Sequence, residues 1–119
     1  MDSREKGNWG EDKAASYLKR HGYKIVDRNC RYRQGEIDIV AEKKDLIVFV
    51  EVKTRKNAEY AEAREFVTGA KQQRVIAAAQ LWMQENGCEK QPRSDVIEIC
   101  APNGEKSLNI KINHLENAF

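Results

Sequence analysis

A buried strand that ends in charged residues is the part of the sequence best suited to chemistry. Residues 46–55 read LIVFVEVKTR, an apolar run typical of a buried strand that is interrupted by Glu51 and Lys53. Because side chains alternate between the two faces of a strand, these two residues share a face with Ile47 and Phe49 and lie about 6.5 to 7 Å apart. Charge within such a strand conflicts with burial, and conflicts of this kind tend to mark functional sites.

A second acid-bearing segment immediately precedes this strand. Residues 35–42 read GEIDIVAE, an alternation that predicts another strand. Ile37 and Ile39 are expected on one face, opposite a face that carries Glu36, Asp38 and Val40. The polar residues 42–45 predict that a hairpin loop of two or four residues joins the two strands.

The hairpin brings Asp38 to the face that carries Glu51 and Lys53. Depending on the loop length, Asp38 pairs with Phe49 or with Glu51, and either pairing puts Asp38 on that face. Two adjacent carboxylates need a neutralising cation, and oxygen ligands without nearby His or Cys suit Mg²⁺ or Mn²⁺. The expected metal ligands are Asp38, Glu51 and the Val52 carbonyl.

Metal-dependent phosphodiester hydrolysis is the chemistry that this group of residues favours. A divalent cation activates a water and stabilises charge that develops on a phosphodiester. Lys53 could orient that water, act as a base if its pKa is lowered, or bind the phosphate. The simpler alternative is a surface ion pair at the end of a strand.

A third acid belongs to the first predicted helix, over residues 8–21. Ala14, Ala15 and Leu18 form its apolar stripe, and Glu11 lies on the same stripe one turn earlier. We therefore expect Glu11 to face the sheet edge near Asp38. The alternative is an ordinary first-turn acid favoured by the helix dipole.

The remaining elements complete an α/β domain in the order αβββαββ. A second helix is predicted from an N-cap at Thr68 to Gly87, and Lys71 and Gln72 lie on its core-facing side. These two residues either simply begin the helix or reach towards the site or a phosphate. Five strands are predicted in a mixed central sheet, over residues 23–33, 35–42, 46–55, 94–101 and 107–112. Residues 1–119 are expected to form one domain.

Composition indicates the class of protein less specifically than the motifs do. The chain has 119 residues, of which 40% are hydrophobic and 34% charged, and its net charge is only +2. This balance is globular and does not by itself announce a nucleic-acid-binding protein. There is no apolar signal-peptide core and no membrane-length apolar run, and an odd number of cysteines favours reduced thiols. We expect a cytoplasmic protein without a membrane partner.

An Asp on one strand followed by Glu-x-Lys on the next, between two helices, resembles the PD-(D/E)XK nuclease superfamily. The sequence resembles more closely the YraN-like family of small predicted endonucleases, which is similar to archaeal Holliday-junction resolvases. This resemblance covers nearly the whole chain. Its motifs are Gly10-Glu11 with Ala14-Ala15 and Leu18, residues 35–38 (GEID), residues 48–55 (VFVEVKTR), Lys71-Gln72, residues 93–96 (RSDV) and residues 117–119 (NAF).

The resemblance implies a restriction-endonuclease-like fold and a nuclease site. Asp38 and Glu51 would be metal ligands, Lys53 the catalytic lysine and Glu11 the helical acid of the site. DNA is the expected partner, branched DNA included; RNA and the oligomeric state, a homodimer included, stay open. The rival hypothesis is a nucleic-acid-binding or partner-binding module without significant turnover. Contacts to nucleic acid are expected from Arg31, Arg33, Arg55, Lys56, Lys71, Gln72 and Arg74.

Overall fold

The computed structural model describes residues 3–55 and 69–119, with side chains from residue 9 onward. In this part of the chain two helices and five strands follow the predicted order. The helices are α1 (Ser3–Arg20) and α2 (Gly69–Glu85). The strands are β1 (Lys24–Tyr32), β2 (Gly35–Lys43), β3 (Leu46–Arg55), β4 (Gln91–Cys100) and β5 (Lys111–Leu115).

The five strands form one mixed sheet in the order β1-β2-β3-β4-β5. β3 and β4 run parallel, and every other neighbouring pair is antiparallel. The parallel pair is joined by α2, which supplies the long crossover that parallel strands require. This architecture confirms the predicted α/β restriction-endonuclease-like fold.

Each helix covers one face of the sheet. On the α1 face, Ala14, Ala15 and Leu18 pack against Val48 and Val50. On the other face, the α2 core includes Ala78, Ala79, Trp82, Ile47 and Phe49. Successive residues of β3 therefore alternate between the two cores, as the sequence predicted.

Both helices end where their glycines predict. Gly22 has a φ of +89° and Gly87 a φ of +56°. At the end of α1, the N–H groups of Gly22 and Tyr23 bond to the carbonyls of Lys19 and Leu18, which is a Schellman motif. Neither described helix is long and apolar enough to cross a membrane.

The last two strands differ from their predicted bounds. β4 begins at Gln91 rather than at residue 94, although Pro92 argues against a strand interior. The first half of β4 pairs with β3 alone, since the pairing with β5 starts at Val96, and an edge position tolerates proline. β5 begins at Lys111 instead of residue 107, because a 3₁₀ turn at Gly104–Lys106 lengthens the connection.

The β2–β3 hairpin has the two-residue loop, which confirms one of the two predicted lengths. Lys43 pairs with Leu46, and the ladder continues to Ile39 opposite Val50. The prediction that Ile37 and Ile39 share a face is wrong, since Ile37 packs in the α2 core and Ile39 in the α1 core. Regular alternation fails at the point where β2 leaves its ladder with β3.

One end of the sheet gathers the segments that carry the candidate residues. β2 begins there at Gly35, and β3 and β4 end there at Arg55 and Cys100; we call this end the upper edge. A methyl group on Gly35 would overlap the carbonyl oxygen of Arg74. Glycine therefore lets the first turns of α2 pack tightly against the β1–β2 turn.

Candidate active site

Asp38 lies where the β2–β3 ladder opens. The last backbone pair is Ile39 with Val50, and beyond it the N–H of Val52 donates a hydrogen bond of 2.8 Å to Asp38 Oδ2. A side-chain carboxylate thus replaces the backbone acceptor that a continuing strand would provide. The bond fixes the carboxylate of Asp38 beside β3, at the upper edge.

Burial and neighbouring acids disfavour the charged form of Asp38. The pKa of Asp38 is raised to about 7, mainly by burial. The negative charges of Glu51 and Glu11 also raise this pKa, whereas the hydrogen bond from the Val52 N–H lowers it. Like charges close together raise one another's cost of ionisation, and a cation would reverse that effect. The two predicted carboxylates therefore interact electrostatically, as the hairpin register implied.

Glu51 is buried and contacted by two ammonium groups. Its Oε1 accepts a hydrogen bond from Lys71 Nζ at 2.5 Å and lies 3.4 Å from Lys53 Nζ. Lys53 is the neighbour expected from the strand pattern. Lys71 comes from the first turn of α2, and its contact with Glu51 agrees with the interpretation that it reaches the site rather than merely beginning the helix.

The two lysines differ in how readily they lose a proton. Burial and the hydrogen bond with Lys71 lower the pKa of Lys53, against an opposing effect of Glu51. For Lys71, burial acts to lower the pKa, but hydrogen bonds to Glu51 and Lys53 outweigh it, so the pKa rises. Lys71 is the stable counter-charge of Glu51, and Lys53 is the amine that becomes neutral more easily.

Glu11 faces inward from α1. It is 9% exposed, and its Oε1 lies 3.8 Å from Arg28 Nη2. Burial raises the pKa of Glu11 against the opposing charge of Arg28. Oε1 is buried and receives no hydrogen bond from the described residues. Asp12 is the solvated acid and pairs with Arg28 at 2.8 Å. Because α1 begins at Ser3 rather than at residue 8, neither acid lies in the first turn of the helix.

The carboxylate oxygens of Asp38 and Glu51 suit a hard cation whose other ligands come from water and a substrate phosphate. Within the described residues, no group of three or more His, Cys, Asp or Glu side chains forms a complete metal cluster. Mg²⁺ nevertheless needs only one or two carboxylates when water and phosphate supply its other ligands. Asp38 and Glu51 meet that requirement, and the mutual repulsion that raises the pKa of Asp38 would be relieved by a cation. The Val52 carbonyl as a third ligand stays a prediction.

Several predicted basic contacts cluster near the β1–β2 turn at the upper edge. Arg31 and Arg33 are exposed at the turn, and Arg31 is within 4.0 Å of Glu36. Arg74 is also exposed and lines a shallow cleft of about 280 Å³ with Glu36 and Lys71. Gln72 is half-buried at the end of the first turn of α2.

The side chain of Arg55 is buried in an ion pair with Glu98. Its Nη1 lies 3.1 Å from Glu98 Oε2, and the two side chains are 11% and 3% exposed. Glu98 also accepts hydrogen bonds from Asn113 and from Cys100, whose pKa burial raises to about 11. The structure therefore gives no support to Arg55 as a phosphate contact. Lys56 and the proposed N-cap Thr68 lie outside the described residues.

Sequence reasoning missed Glu98. It was placed in a strand, but only the parallel register, which sets Glu98 beside Lys53, brings it next to the site. The signal available in the sequence was an acid between Ile97 and Ile99 in an apolar strand, the same kind of conflict that identified Glu51.

Comparison with known proteins agrees with the motifs. The family model described as "Uncharacterised protein family UPF0102" matches residues 10–99. The chain belongs to the UPF0102 family. This is the YraN family, so the resemblance stated from the sequence is confirmed.

Curated UPF0102 proteins match the chain over most of its length. The UPF0102 protein of Syntrophotalea carbinolica is 44% identical over 95% of this chain and 89% of its own. That of Clostridioides difficile is 40% identical over 100% of both chains. That of Chlorobium phaeobacteroides is 48% identical over 78% of this chain and 74% of its own. The matched region of the UPF0102 model includes Glu11, Asp38, Glu51 and Lys53.

Proposed function

We propose that this UPF0102 protein is a metal-dependent nuclease that hydrolyses phosphodiester bonds in DNA. The observation that carries the proposal is the convergence of Asp38, Glu51 and Lys53 where the β2–β3 ladder opens. Two carboxylates that repel each other and a lysine whose pKa burial lowers are costly in a purely structural role. They are useful where a cation and a phosphate bind together.

Each residue has a role that follows from its contacts. Asp38 and Glu51 would hold Mg²⁺ or Mn²⁺, with the Val52 carbonyl as a further oxygen. A divalent cation bound there supplies positive charge to the phosphate and lowers the pKa of a water. Lys71 orients the carboxylate of Glu51 through their ion pair. Lys53, beside Glu51 but not among the metal ligands, accepts a proton from the attacking water or donates to the phosphate.

DNA bound at this site also contacts three exposed arginines, Arg31, Arg33 and Arg74, which we call the arginine cluster. Arg31, Arg33 and Arg74 are exposed at the same end of the sheet as the carboxylates. Such residues contact phosphates without reading sequence, so they position a backbone rather than select bases. The proposed function therefore needs no sequence specificity.

A nuclease assay tests the proposal. Linear duplex, single-stranded and branched DNA, together with an RNA of the same sequence, are incubated with Mg²⁺ or Mn²⁺ and, in parallel, with EDTA. We expect cleavage of DNA in the divalent cation and none in EDTA. Lys53→Ala should abolish it, whereas the matched control Lys44→Ala, on the exposed hairpin loop, should cleave like the wild type.

A binding module without turnover is the second candidate, and one observation favours it. Lys71 and Lys53 already neutralise Glu51 without a metal. A protein of this kind would shift DNA in a gel equally in EDTA and in Mg²⁺, and would cleave none of the four substrates. That combination of results would replace the nuclease proposal.

A further inference from the structure

An open cleft lies on the α1 side of the upper edge, across α1 from Glu11. Trp9, Thr54 and residues 102–106 line it, and its volume is about 930 Å³. Thr54 directly follows Lys53 on β3, and Trp9 is two residues from Glu11 on α1. Because side chains of successive strand residues point to opposite faces, Thr54 lies on the α1 face and Lys53 on the α2 face. The cleft is therefore at the same end of the sheet as the candidate active site, on the other face, and shares none of its carboxylates.

Gly10 fixes the position of this cleft. A methyl group at Gly10 would overlap Thr54 Oγ1, so only glycine lets α1 pass this close to β3. The helix crosses over β3 there, with Glu11 towards Arg28 of β1 and Trp9 towards the connection that follows β4. The two residues thus face opposite sides of α1 along one edge of the sheet.

The chemistry of the cleft matches an unpaired nucleotide. Trp9 is only partly buried, and Lys13 Nζ lies 5.8 Å from its ring centroid. An aromatic face stacks on a nucleobase, and neighbouring lysines contact the phosphate. Lys106 adds a second cation from the 3₁₀ turn, beside the acid Glu105, on the opposite wall.

The topology links this cleft to the arginine cluster through the candidate active site. Along the upper edge lie, in order, the β1–β2 turn with Arg33, the opened ladder with Asp38, the end of β3 with Lys53, and the connection after β4. Neighbouring strands are about 4.8 Å apart, so the path from β1 to β4 spans roughly 15 Å. A nucleic-acid strand that runs along this end of the sheet past the carboxylates would contact the arginines through its phosphates, and a base turned towards the α1 face would meet Trp9.

We propose that Trp9 and the cleft beside it bind an unpaired nucleobase of the substrate strand. The proposal rests on the proposed nuclease function for its ligand class and adds that the substrate has unpaired nucleotides next to the cleaved bond. Bases within a duplex are stacked on each other and present no free face to Trp9. The protein is therefore expected to prefer single-stranded or splayed DNA over an unbroken duplex.

Binding in EDTA tests this inference apart from cleavage. The affinity for a fluorescein-labelled oligothymidylate is measured by anisotropy for wild type, Trp9→Phe and Trp9→Leu. Leucine keeps an apolar side chain against the α1 core but cannot stack, so Trp9→Leu should bind roughly 5- to 150-fold more weakly. Trp9→Phe should retain most of the affinity. Lys13→Ala should weaken binding, whereas the matched control Lys19→Ala, in the last turn of α1, should not.

Tryptophan fluorescence gives an independent readout. The chain has two tryptophans, and Trp82 is buried with its indole N–H bonded to Asp27. In Trp82→Phe, Trp9 is the only tryptophan, and excitation at a wavelength that tyrosine does not absorb reports on it alone. We expect oligothymidylate to quench this emission more strongly than a duplex of equal length. If Trp82→Phe does not fold, the anisotropy series decides alone.

The outcomes separate this inference from the nuclease proposal. Equal affinity of wild type and a folded Trp9→Leu for oligothymidylate would overturn the Trp9 site, even if the enzyme cleaves DNA. Equal quenching by duplex and single strand would also overturn it. Quenching and loss of affinity in a protein that cleaves nothing would support the Trp9 site and count against the nuclease function.

Discussion

The N–H of Val52 donates a hydrogen bond to Asp38 Oδ2 at the point where backbone pairing between β2 and β3 stops. This bond explains how an acid stays beside β3 after its strand has left the ladder. It also couples the position of Asp38 to the strand that carries Glu51 and Lys53. The site therefore depends on an opened ladder more than on regular strand alternation.

Asp38→Asn should stabilise the fold, and more so at higher pH. Burial raises the pKa of Asp38 to about 7, above the value of about 3.9 expected in the unfolded chain. The folded state then binds more protons between these values, so the stability of the wild type falls as pH rises from about 4 to 7. Asn keeps an oxygen for the Val52 N–H and has no charge to bury. Thermal melts should show a larger advantage of the variant at pH 8 than at pH 4, and equal gains at both would refute the electrostatic explanation.

Lys71→Met should move the pH dependence of cleavage. The hydrogen bond and charge of Lys71 help to lower the pKa of Lys53, so their loss should raise it. If neutral Lys53 is the base, the rising limb of the pH–rate profile shifts to higher pH. Single-turnover rates across pH 6 to 10 measure this shift. An unshifted profile with a lower plateau would mean that Lys71 acts only through Glu51.

Arg33 and Arg74 should account for the salt dependence of DNA binding, and Arg55 should not. Each phosphate contact that is lost flattens the slope of log K against log salt by about one unit. Arg33→Ala and Arg74→Ala should each do so, because both side chains are exposed at the upper edge. Arg55→Ala should leave the slope unchanged and lower the melting temperature, because Arg55 pairs with buried Glu98. A flattened slope in Arg55→Ala would restore it as a phosphate contact.

Asp95→Asn should destabilise the fold without removing the active site. Asp95 is fully buried and accepts hydrogen bonds from Nε and Nη2 of Arg93, from His114 and from the Asn117 N–H. Removal of one partner from a buried ion pair costs about 3–5 kcal/mol. Among the described residues, Arg93 would then keep only the exposed Glu116, at 3.8 Å, as an ion-pair partner. Denaturant unfolding at pH 7 measures the loss.

Acidification should remove the difference in unfolding free energy between wild type and Asp95→Asn. Although burial acts to raise the pKa of Asp95, hydrogen bonds from His114 and Arg93 hold it below its ordinary value. A depressed carboxyl pKa contributes stability that is present above about pH 4 and is lost as the pH falls through the folded pKa. The gap between the two proteins should narrow on acidification below that point. A constant gap would show that the loss comes from packing.

Local patterns predicted much of this fold. The apolar stripe of α1, the glycines that end both helices and the alternation of β3 are short-range features, and all three are confirmed. Asp38 and Glu51 were identified because their charge conflicts with the apolar strands around them. Phe119, the last residue of the NAF motif, packs against Val96.

Long-range contacts account for what the sequence did not predict. The partner of Arg55 is Glu98, and only the parallel register of β3 and β4 makes them neighbours. The early start of β4 depends on an unpaired edge beside Pro92, which local propensity does not record. Ile37 was misplaced because regular alternation fails where the ladder opens, which is also where the site forms.

Manganese binding tests the central claim most directly, because it requires no knowledge of the substrate. Calorimetric titration of Mn²⁺ compares wild type, Asp38→Asn, Glu51→Gln and the matched control Glu36→Gln, an exposed acid in β2. We predict that wild type and Glu36→Gln bind Mn²⁺ alike, and that Asp38→Asn and Glu51→Gln lose most of the affinity. Indistinguishable titrations for all four proteins, or no binding to the wild type, would contradict a metal site at Asp38 and Glu51.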